Sequence, residues 1–222
     1  MSGAGDGRRG TPKMFAKQNF GGRGRQDPPI RGYIKIDSAA RAFDFDFKGK
    51  TVLDIGSSTG GFTEYALDHG AKKVIAVEKG SHQMKAPLRF DPRIELHEKT
   101  DIFDVAAKGR QAKSQALTID VPDAVVADVS FISLKPILEH AKKYITDEHT
   151  EFLIMLKPQF EANPSQLTKG IVKNEKIRRE IIKNFEQWLK VHGFLIIKKR
   201  DNEIHGKHGN IERFYWLKNT KF

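Results

Sequence analysis

The chain has 222 residues, 38% of them hydrophobic and 30% charged, which is compatible with one sizeable folded domain. Its formal net charge of +11 favours an acidic partner, nucleic acid before an anionic membrane. The lack of cysteine excludes a disulfide framework, an iron–sulfur cluster and thiol catalysis, and it fits a reducing compartment such as the cytoplasm. The longest apolar runs are strand-sized, so the sequence predicts no membrane span and no secretory signal.

Residues 1–28 differ in composition from the rest of the chain. They contain seven glycines and six basic residues against two acidic ones, a composition that cannot bury a core and predicts disorder. The stretch 21–25, with Phe15 and Phe20 nearby, is similar to glycine/arginine RNA-binding tails, and a solvated linker is the alternative. We therefore predict a basic tail over 1–28 and a folded domain over 29–222.

From residue 30 onward, short apolar runs alternate with helical patterns. Strands are predicted at 51–55, 73–77, 93–96, 123–126 and 151–156, and helices at 61–69, after the fourth strand to about 144, and at 175–191. Two last strands, 194–198 and 211–217, lie close together and are expected to pair antiparallel at one edge. The pattern predicts a Rossmann-like α/β fold, with seven mostly parallel strands and helices on both faces.

A glycine-rich turn, DIGSSTGGFT at 54–63, follows the first predicted strand. Phe62 stands where a phosphate-binding P-loop needs lysine, and Ser58 replaces the middle glycine of the dinucleotide fingerprint. Glu78 ends the second strand about 20 residues after Gly56, a spacing suited to ribose hydroxyls. We therefore predict a ligand with a ribose but no clamped pyrophosphate, which fits S-adenosylmethionine. Asp101 is suited either to the adenine amino group or to capping a helix.

Three further motifs follow in order: DVSFISL at 128–134, KPQFE at 157–161 and GNIE at 209–212. With these, the chain resembles the TlyA/hemolysin A family of FtsJ-like, S-adenosylmethionine-dependent rRNA 2′-O-methyltransferases over about residues 32–218. The resemblance implies a Rossmann-like methyltransferase fold and methyl transfer to a ribose 2′-hydroxyl of ribosomal RNA, at a cytidine. It implies ribosomal RNA or ribosomal subunits as partners, no stable membrane association and a cytoplasmic location, and it leaves the oligomeric state open.

The family's catalytic Lys-Asp-Lys-Glu set falls on Lys35, Asp128, Lys157 and Glu212, the last of these in the final predicted strand. The resemblance implies that Lys157 activates the hydroxyl, while Lys35 is a neighbouring cation and phosphate contact. Asp128 and Glu212 would orient the lysines and hold the acceptor ribose. By spacing alone, Asp128 and Lys157 would be an ordinary strand-end ion pair and Lys35 a solvated side chain.

The cofactor residues implied by the resemblance lie at the ends of four predicted strands. They are Asp54, Gly56, Ser58, Gly60, Gly61, Glu78, Asp101 and Asp128. Relatives usually carry aspartate and asparagine where this chain has Glu78 and Asp101. They also begin with an S4-type RNA-binding domain where this chain has the basic tail, so the RNA target stays open.

Other side chains near these motifs have two interpretations each. Phe131 and Phe160 would either stack on a flipped-out nucleotide or belong to the core. Pro158 favours an extended backbone at Lys157. The basic run 198–200 is suited to phosphates, whereas the helix face 173–183 is more simply a solvated surface. His205 and His208 lack a third ligand, so no metal site is predicted.

Three other functions compete with ribose methylation. A methyltransferase for a base or protein side chain is disfavoured, because no Asn/Asp-Pro-Pro-aromatic motif follows the fourth strand. A ribosome-assembly factor without catalysis is disfavoured by the complete catalytic set. A membrane-acting hemolysin is disfavoured by the lack of a span or an insertion helix.

Overall fold

The computed structural model describes residues 30–110, 116–204 and 209–220. Its helices are α1 (Arg31–Phe43), α2 (Gly61–Asp68), α3 (Leu134–His140), α4 (Pro158–Glu161) and α5 (Glu175–Val191). Its strands are β1 (Thr51–Ile55), β2 (Lys73–Glu78), β3 (Ile94–Glu98), β4 (Val105–Ala107), β5 (Leu117–Ile119), β6 (Ala124–Ala127), β7 (Glu151–Leu156), β8 (Phe194–Asp201) and β9 (Arg213–Asn219). One π-helical turn, Ala141–Ile145, extends α3.

Seven strands form the central sheet in the order β3-β2-β1-β6-β7-β9-β8. The first five are parallel, and β9 runs antiparallel to both β7 and β8. This confirms the predicted Rossmann-like sheet with an antiparallel C-terminal pair, in which β8 forms one edge and β3 the other. A separate parallel pair, β4 and β5, was not predicted, because each strand has only three residues.

Helices cover both faces of the sheet, as predicted. On one face, α3 and α5 pack through residues such as Ile137 and Phe185 against buried strand residues including Leu53 and Tyr215. On the other face, α1 and α2 pack through Ile36 and Tyr65 and their buried neighbours. Because β1 is buried on both faces, its apolar run reads continuously rather than alternating.

Helix α1 was not predicted, because two of its core-facing positions, Lys35 and Asp37, are polar. It packs against the start of α2 at a close backbone approach between Gly32 and Gly61. A Cβ added to Gly61 would lie 2.7 Å from the Tyr33 nitrogen and 2.8 Å from the Gly32 Cα. Gly61 was predicted as a cofactor residue, and the structure gives it a packing role that fixes the position of α1.

The strand order reverses between β1 and β6, so the carboxyl ends of these two strands open onto a topological switch point. The turn after β1 contacts the turn after β6 there: a Cβ on Gly56 would lie 3.3 Å from Val129 Cγ1 and 3.4 Å from the Asp128 carbonyl oxygen. Ligands of open α/β sheets bind beyond such a point. The fold therefore brings the predicted cofactor and catalytic segments to the same edge.

Candidate active site

Lys157 follows β7 and lies beside the end of the neighbouring strand β6. Its backbone is extended, with φ −107° and ψ 102°, as the following proline predicts. Its Nζ lies 2.6 Å from Asp128 Oδ1 and donates a 2.7 Å hydrogen bond to Ser130 Oγ. The Lys157 side chain is only 10% exposed. Two oxygens thus hold the ammonium in one position at the rim of the sheet.

The other two predicted catalytic residues form a second, more deeply buried ion pair. Lys35 Nζ lies 2.7 Å from Glu212 Oε2, with 8% and 4% of the side chains exposed. Glu212 precedes β9 rather than lying in it, so its placement within the last strand was wrong; its carbonyl instead accepts a 2.8 Å hydrogen bond from Asn202. The β7–β9 register ends with Leu156 opposite Arg213, so the next residues, Lys157 and Glu212, face each other.

This arrangement brings Asp128, Lys157, Glu212 and Lys35 to one edge as two lysine–carboxylate pairs. The sequence predicted a phosphate contact for Lys35. In the structure its ammonium is buried and already neutralised by Glu212, which favours its role as a fixed cation that holds Glu212. Burying an ion pair is costly unless both partners are well placed. This pair links α1 to the residue before β9.

Asp54, the next-to-last residue of β1, lies beneath the glycine-rich turn and is completely buried. Thr63 Oγ1 donates a 2.6 Å hydrogen bond to Asp54 Oδ2. Burial raises the pKa of this carboxyl to about 7, which Thr63 only partly opposes. Within the described residues, Asp54 Oδ1 and the buried Ser57 Oγ have no hydrogen-bond partner. Two orphaned polar atoms under the turn are suited to a polar ligand.

Glu78, at the end of β2, is held by the same turn. Its two carboxylate oxygens accept hydrogen bonds from the Ser58 nitrogen at 2.9 Å and the Gly80 nitrogen at 2.6 Å. The backbone therefore fixes this carboxylate, which keeps lone pairs free for ribose hydroxyls. Gly60 has φ +91°, and a Cβ there would clash with Leu88, so the turn needs glycine at this position.

Asp101 follows β3 and caps the short helical turn Ile102–Asp104, accepting a 3.2 Å hydrogen bond from the Phe103 nitrogen. This confirms the capping interpretation, and the adenine contact stays a prediction. The exposed Lys79 Nζ lies 2.9 Å from the other Asp101 oxygen. Desolvation at Asp101 is outweighed by its bonds to Lys79 and Phe103, which together lower the pKa of this carboxyl.

Phe131 is 91% exposed, so its interpretation as a core residue was wrong. The residue adopts φ +66°, a left-handed conformation that turns its ring away from the protein body. The ring centroid lies 5.3 Å from that of Phe160, and the Phe160 centroid is 5.8 Å from Lys157 Nζ. An aromatic pair, with Phe131 exposed and Phe160 half-buried, therefore lies next to the lysine.

The other predicted contacts were the basic run 198–200, the basic tail and the histidines His205 and His208. The side chains of the run 198–200 bond within the protein: Lys198 to the Phe43 carbonyl, Lys199 to Glu186, and Arg200 to Glu203. Residues 1–28, His205 and His208 lie outside the described part of the chain. Elsewhere, no group of three acidic or histidine side chains could hold a metal ion. Among the described helices, none is long and apolar enough to cross a membrane.

A family model for FtsJ-like methyltransferases matches residues 29–219, nearly the whole described chain. This chain belongs to the FtsJ-like methyltransferase family. S-adenosylmethionine is the methyl donor of this FtsJ-like methyltransferase, and the orphaned atoms under the turn and the fixed Glu78 carboxylate fit its polar groups.

This FtsJ-like methyltransferase is similar to several known proteins. It is 35% identical over 183 residues to YqxC of Bacillus subtilis, covering 82% of this chain and 62% of YqxC. It is 33% identical over 188 residues to the 23S rRNA (cytidine-2′-O)-methyltransferase TlyA of Campylobacter jejuni, covering 84% of this chain and 69% of that protein. A solved Streptococcus thermophilus protein named as a hemolysin is 32% identical, with a TM-score of 0.78, covering 90% of this chain and 70% of that one.

Sequence reasoning missed three residues that contact the candidate site of this FtsJ-like methyltransferase. Ser130 bonds the Lys157 ammonium, Lys79 bonds Asp101, and Glu161 bonds the start of α3. Ser130 and Glu161 both lie inside the motifs that carried the resemblance, which is a signal that could have found them. Nothing local distinguishes Lys79 from other exposed lysines in so basic a chain.

Proposed function

We propose that this chain transfers a methyl group from S-adenosylmethionine to a ribose 2′-hydroxyl of ribosomal RNA, at a cytidine. The observation that carries the proposal is the Lys157–Asp128 pair, 2.6 Å apart, at the sheet edge that also holds the glycine-rich turn. The Lys35–Glu212 pair flanks it. An rRNA substrate would place the protein where ribosomes are assembled, in the cytoplasm.

The cofactor, when bound, supplies an electrophilic methyl group on a sulfonium sulfur. Glu78 would accept hydrogen bonds from its ribose, and Asp101 would receive its adenine amino group. The glycine-rich turn would hold the remaining polar groups through Asp54 and Ser57. These residues surround the switch point between β1 and β6, next to Asp128.

Lys157 would act on the acceptor hydroxyl. Lys157 would accept the proton of the 2′-hydroxyl as the hydroxyl oxygen takes the methyl group from the sulfonium sulfur. Asp128 and Ser130 hold the Lys157 amine at a fixed position. The side chain would therefore lose little rotamer entropy when it contacts the hydroxyl. Glu212, fixed by Lys35 and by the Asn202 backbone, would orient the acceptor ribose.

A nucleic-acid substrate is supported by charge and by the exposed Phe131 ring. The net charge of +11 attracts a phosphate backbone. Phe131 offers an open ring face next to Phe160, whose own ring lies near Lys157. We propose that this ring stacks on a nucleobase at the target. The cytidine 2′-hydroxyl is suggested by the name of the Campylobacter jejuni relative.

A lysine substitution with a matched control tests the proposal. The chain is incubated with labelled S-adenosylmethionine and, separately, small subunits, large subunits and naked rRNA. Lys157→Met should keep cofactor affinity and lower methyl transfer by about 10²- to 10⁴-fold, because it removes the proton acceptor. Lys50→Met removes a similar 2.6 Å lysine–carboxylate pair at the opposite end of the sheet and should leave both quantities unchanged. Full methyl transfer by Lys157→Met would refute the assigned mechanism.

A further inference from the structure

A second connection joins the two loops that carry Asp128 and Lys157. Glu161, the last residue of α4, reaches the start of α3 with both carboxylate oxygens. Ser133 Oγ donates a 2.7 Å hydrogen bond to Oε2, and the Leu134 nitrogen donates a 2.7 Å hydrogen bond to Oε1. These partners lie 27 and 28 positions away in the chain, so the carboxylate joins separate strand-end segments rather than neighbours along one helix.

The Glu161 carboxyl is partly buried. Burial raises its pKa above the ordinary value, and the bonds from Ser133 and Leu134 oppose this only in part. Losing these two donors would cost a partly buried carboxylate hydrogen bonds that water replaces only in part, so the contact favours one geometry of the two loops. Capping of α3 does not require it, because Ser133 Oγ already accepts a hydrogen bond from the Lys135 nitrogen.

Between these fixed points lies a short exposed loop. On one side Lys157 holds Ser130, and on the other Glu161 holds Ser133 and Leu134. Only Phe131 and Ile132 remain between them, and both are exposed. Phe131 keeps a left-handed backbone, which a residue with a Cβ adopts only when its surroundings impose it.

We propose that Glu161 is a positioning residue that fixes the 130–134 loop and thereby holds the Phe131 ring beside Lys157 for the acceptor nucleotide. The inference rests on the proposed RNA methylation. Glu161 itself does not touch the substrate: it acts through Ser133, Leu134 and the loop before them.

A double-substitution cycle tests this coupling. Glu161→Ala and Phe131→Ala should each lower kcat/KM for rRNA by roughly 10-fold or more, because each misplaces or removes the same ring. Cofactor affinity should stay within about twofold of the wild type. The double variant should lose little more than either single variant, since both changes act on one contact. A loss equal to the product of the two single losses would overturn the proposal, as would unchanged rRNA kinetics of Glu161→Ala.

Two more variants separate positioning from general destabilisation. In Glu161→Gln the amide oxygen accepts from Leu134 and the amide nitrogen donates to Ser133 Oγ, so rRNA methylation should recover to within about threefold of the wild type. Glu151→Ala is the matched control, because it removes a glutamate with two ion-pair partners at the other end of β7. It should leave rRNA kinetics unchanged. If Glu161→Gln fails as badly as Glu161→Ala, the geometric role is wrong.

The outcomes distinguish this inference from the proposed function. Wild-type protein that binds cofactor but labels no ribosomal RNA would overturn the proposed function and the inference with it. Wild-type labelling that Glu161→Ala retains in full would overturn the inference alone. If Glu161→Ala does not fold, Ser133→Ala removes one of the two contacts, and the same non-additivity with Phe131→Ala is expected.

Discussion

Asp54 is a buried carboxyl whose protonation links the stability of the domain to pH. Its pKa is raised to about 7 by burial, whereas in the unfolded chain it ionises near its ordinary value of about 4. Between these values the folded state binds more protons than the unfolded state. The stability contribution of Asp54 is therefore present below about pH 4 and is lost as the pH rises through about 7.

The Asp54→Asn variant tests this linkage. Asparagine does not titrate, and its carbonyl still accepts the hydrogen bond from Thr63. The free energy of unfolding of the wild type relative to the variant should fall by an amount on the order of a few kcal/mol between pH 4.5 and pH 8. Urea unfolding of both proteins across that range measures the difference. Parallel curves would show that Asp54 is already ionised in the folded protein.

Lys79 affects the proposed adenine contact because its ammonium bonds Asp101 at 2.9 Å. The pair is exposed, so it is weak and sensitive to salt. Lys79→Met keeps the aliphatic stem and frees the Asp101 carboxylate. S-adenosylhomocysteine should then bind more tightly at low salt, by up to about fivefold, and this gain should be lost at high salt. Titration calorimetry measures the affinity, and Lys108→Met, from another exposed pair, is the control. Weaker binding by Lys79→Met would contradict this competition.

At the scale of elements, the α1–α2 contact determines where Lys35 lies. Gly61→Ala would place a Cβ within 2.7 Å of the Tyr33 backbone nitrogen, so α1 must shift. We expect a loss of about 1–3 kcal/mol of stability and a fall in methyl transfer, because α1 carries Lys35. Gly32→Ala is the control, since its Cβ would meet Gly61 Cα at an ordinary 3.4 Å. Thermal unfolding of both variants checks this, and equal melting temperatures would contradict it.

The elements also show what sequence patterns can and cannot predict. Helix α5 matches its predicted bounds, 175–191, because Asn174 caps it and its apolar stripe faces the core. Helix α1 escaped prediction because the ion pairs of Lys35 with Glu212 and Asp37 with Arg41 neutralise charges in a buried face. The Lys35–Glu212 pair joins segments far apart in the chain, and no local pattern reveals it.

The candidate site, like the helices, could be predicted from the sequence only in part. Strand ends and motifs predicted that Asp128 and Lys157 would converge, since β6 and β7 are parallel neighbours. The outward direction of Phe131 depends on one left-handed residue, and the bond from Glu161 to α3 depends on how two loops pack. Neither leaves a periodic signal in the sequence.

For the whole molecule, charge determines how strongly RNA binding depends on salt. A chain with net charge +11 that neutralises phosphates should bind RNA with an affinity that falls steeply as salt rises. Removing residues 1–28 takes away six basic and two acidic residues. The logarithmic salt slope should then become shallower by about 0.7 for each lost phosphate contact, with unchanged cofactor affinity. Filter binding at several salt concentrations measures both slopes, and identical slopes would exclude the tail from RNA binding.

The central claim is the chemical position of the transferred methyl group. The direct measurement is to methylate ribosomal RNA with labelled S-adenosylmethionine, digest it to nucleosides and identify the labelled product. We predict label in 2′-O-methylcytidine, at a position where the RNA backbone resists alkaline cleavage because the 2′-oxygen is blocked. With Lys157→Met the rate of labelling should fall by at least about 100-fold. Label on a nucleobase, or ribose labelling at an undiminished rate with Lys157→Met, would contradict this prediction.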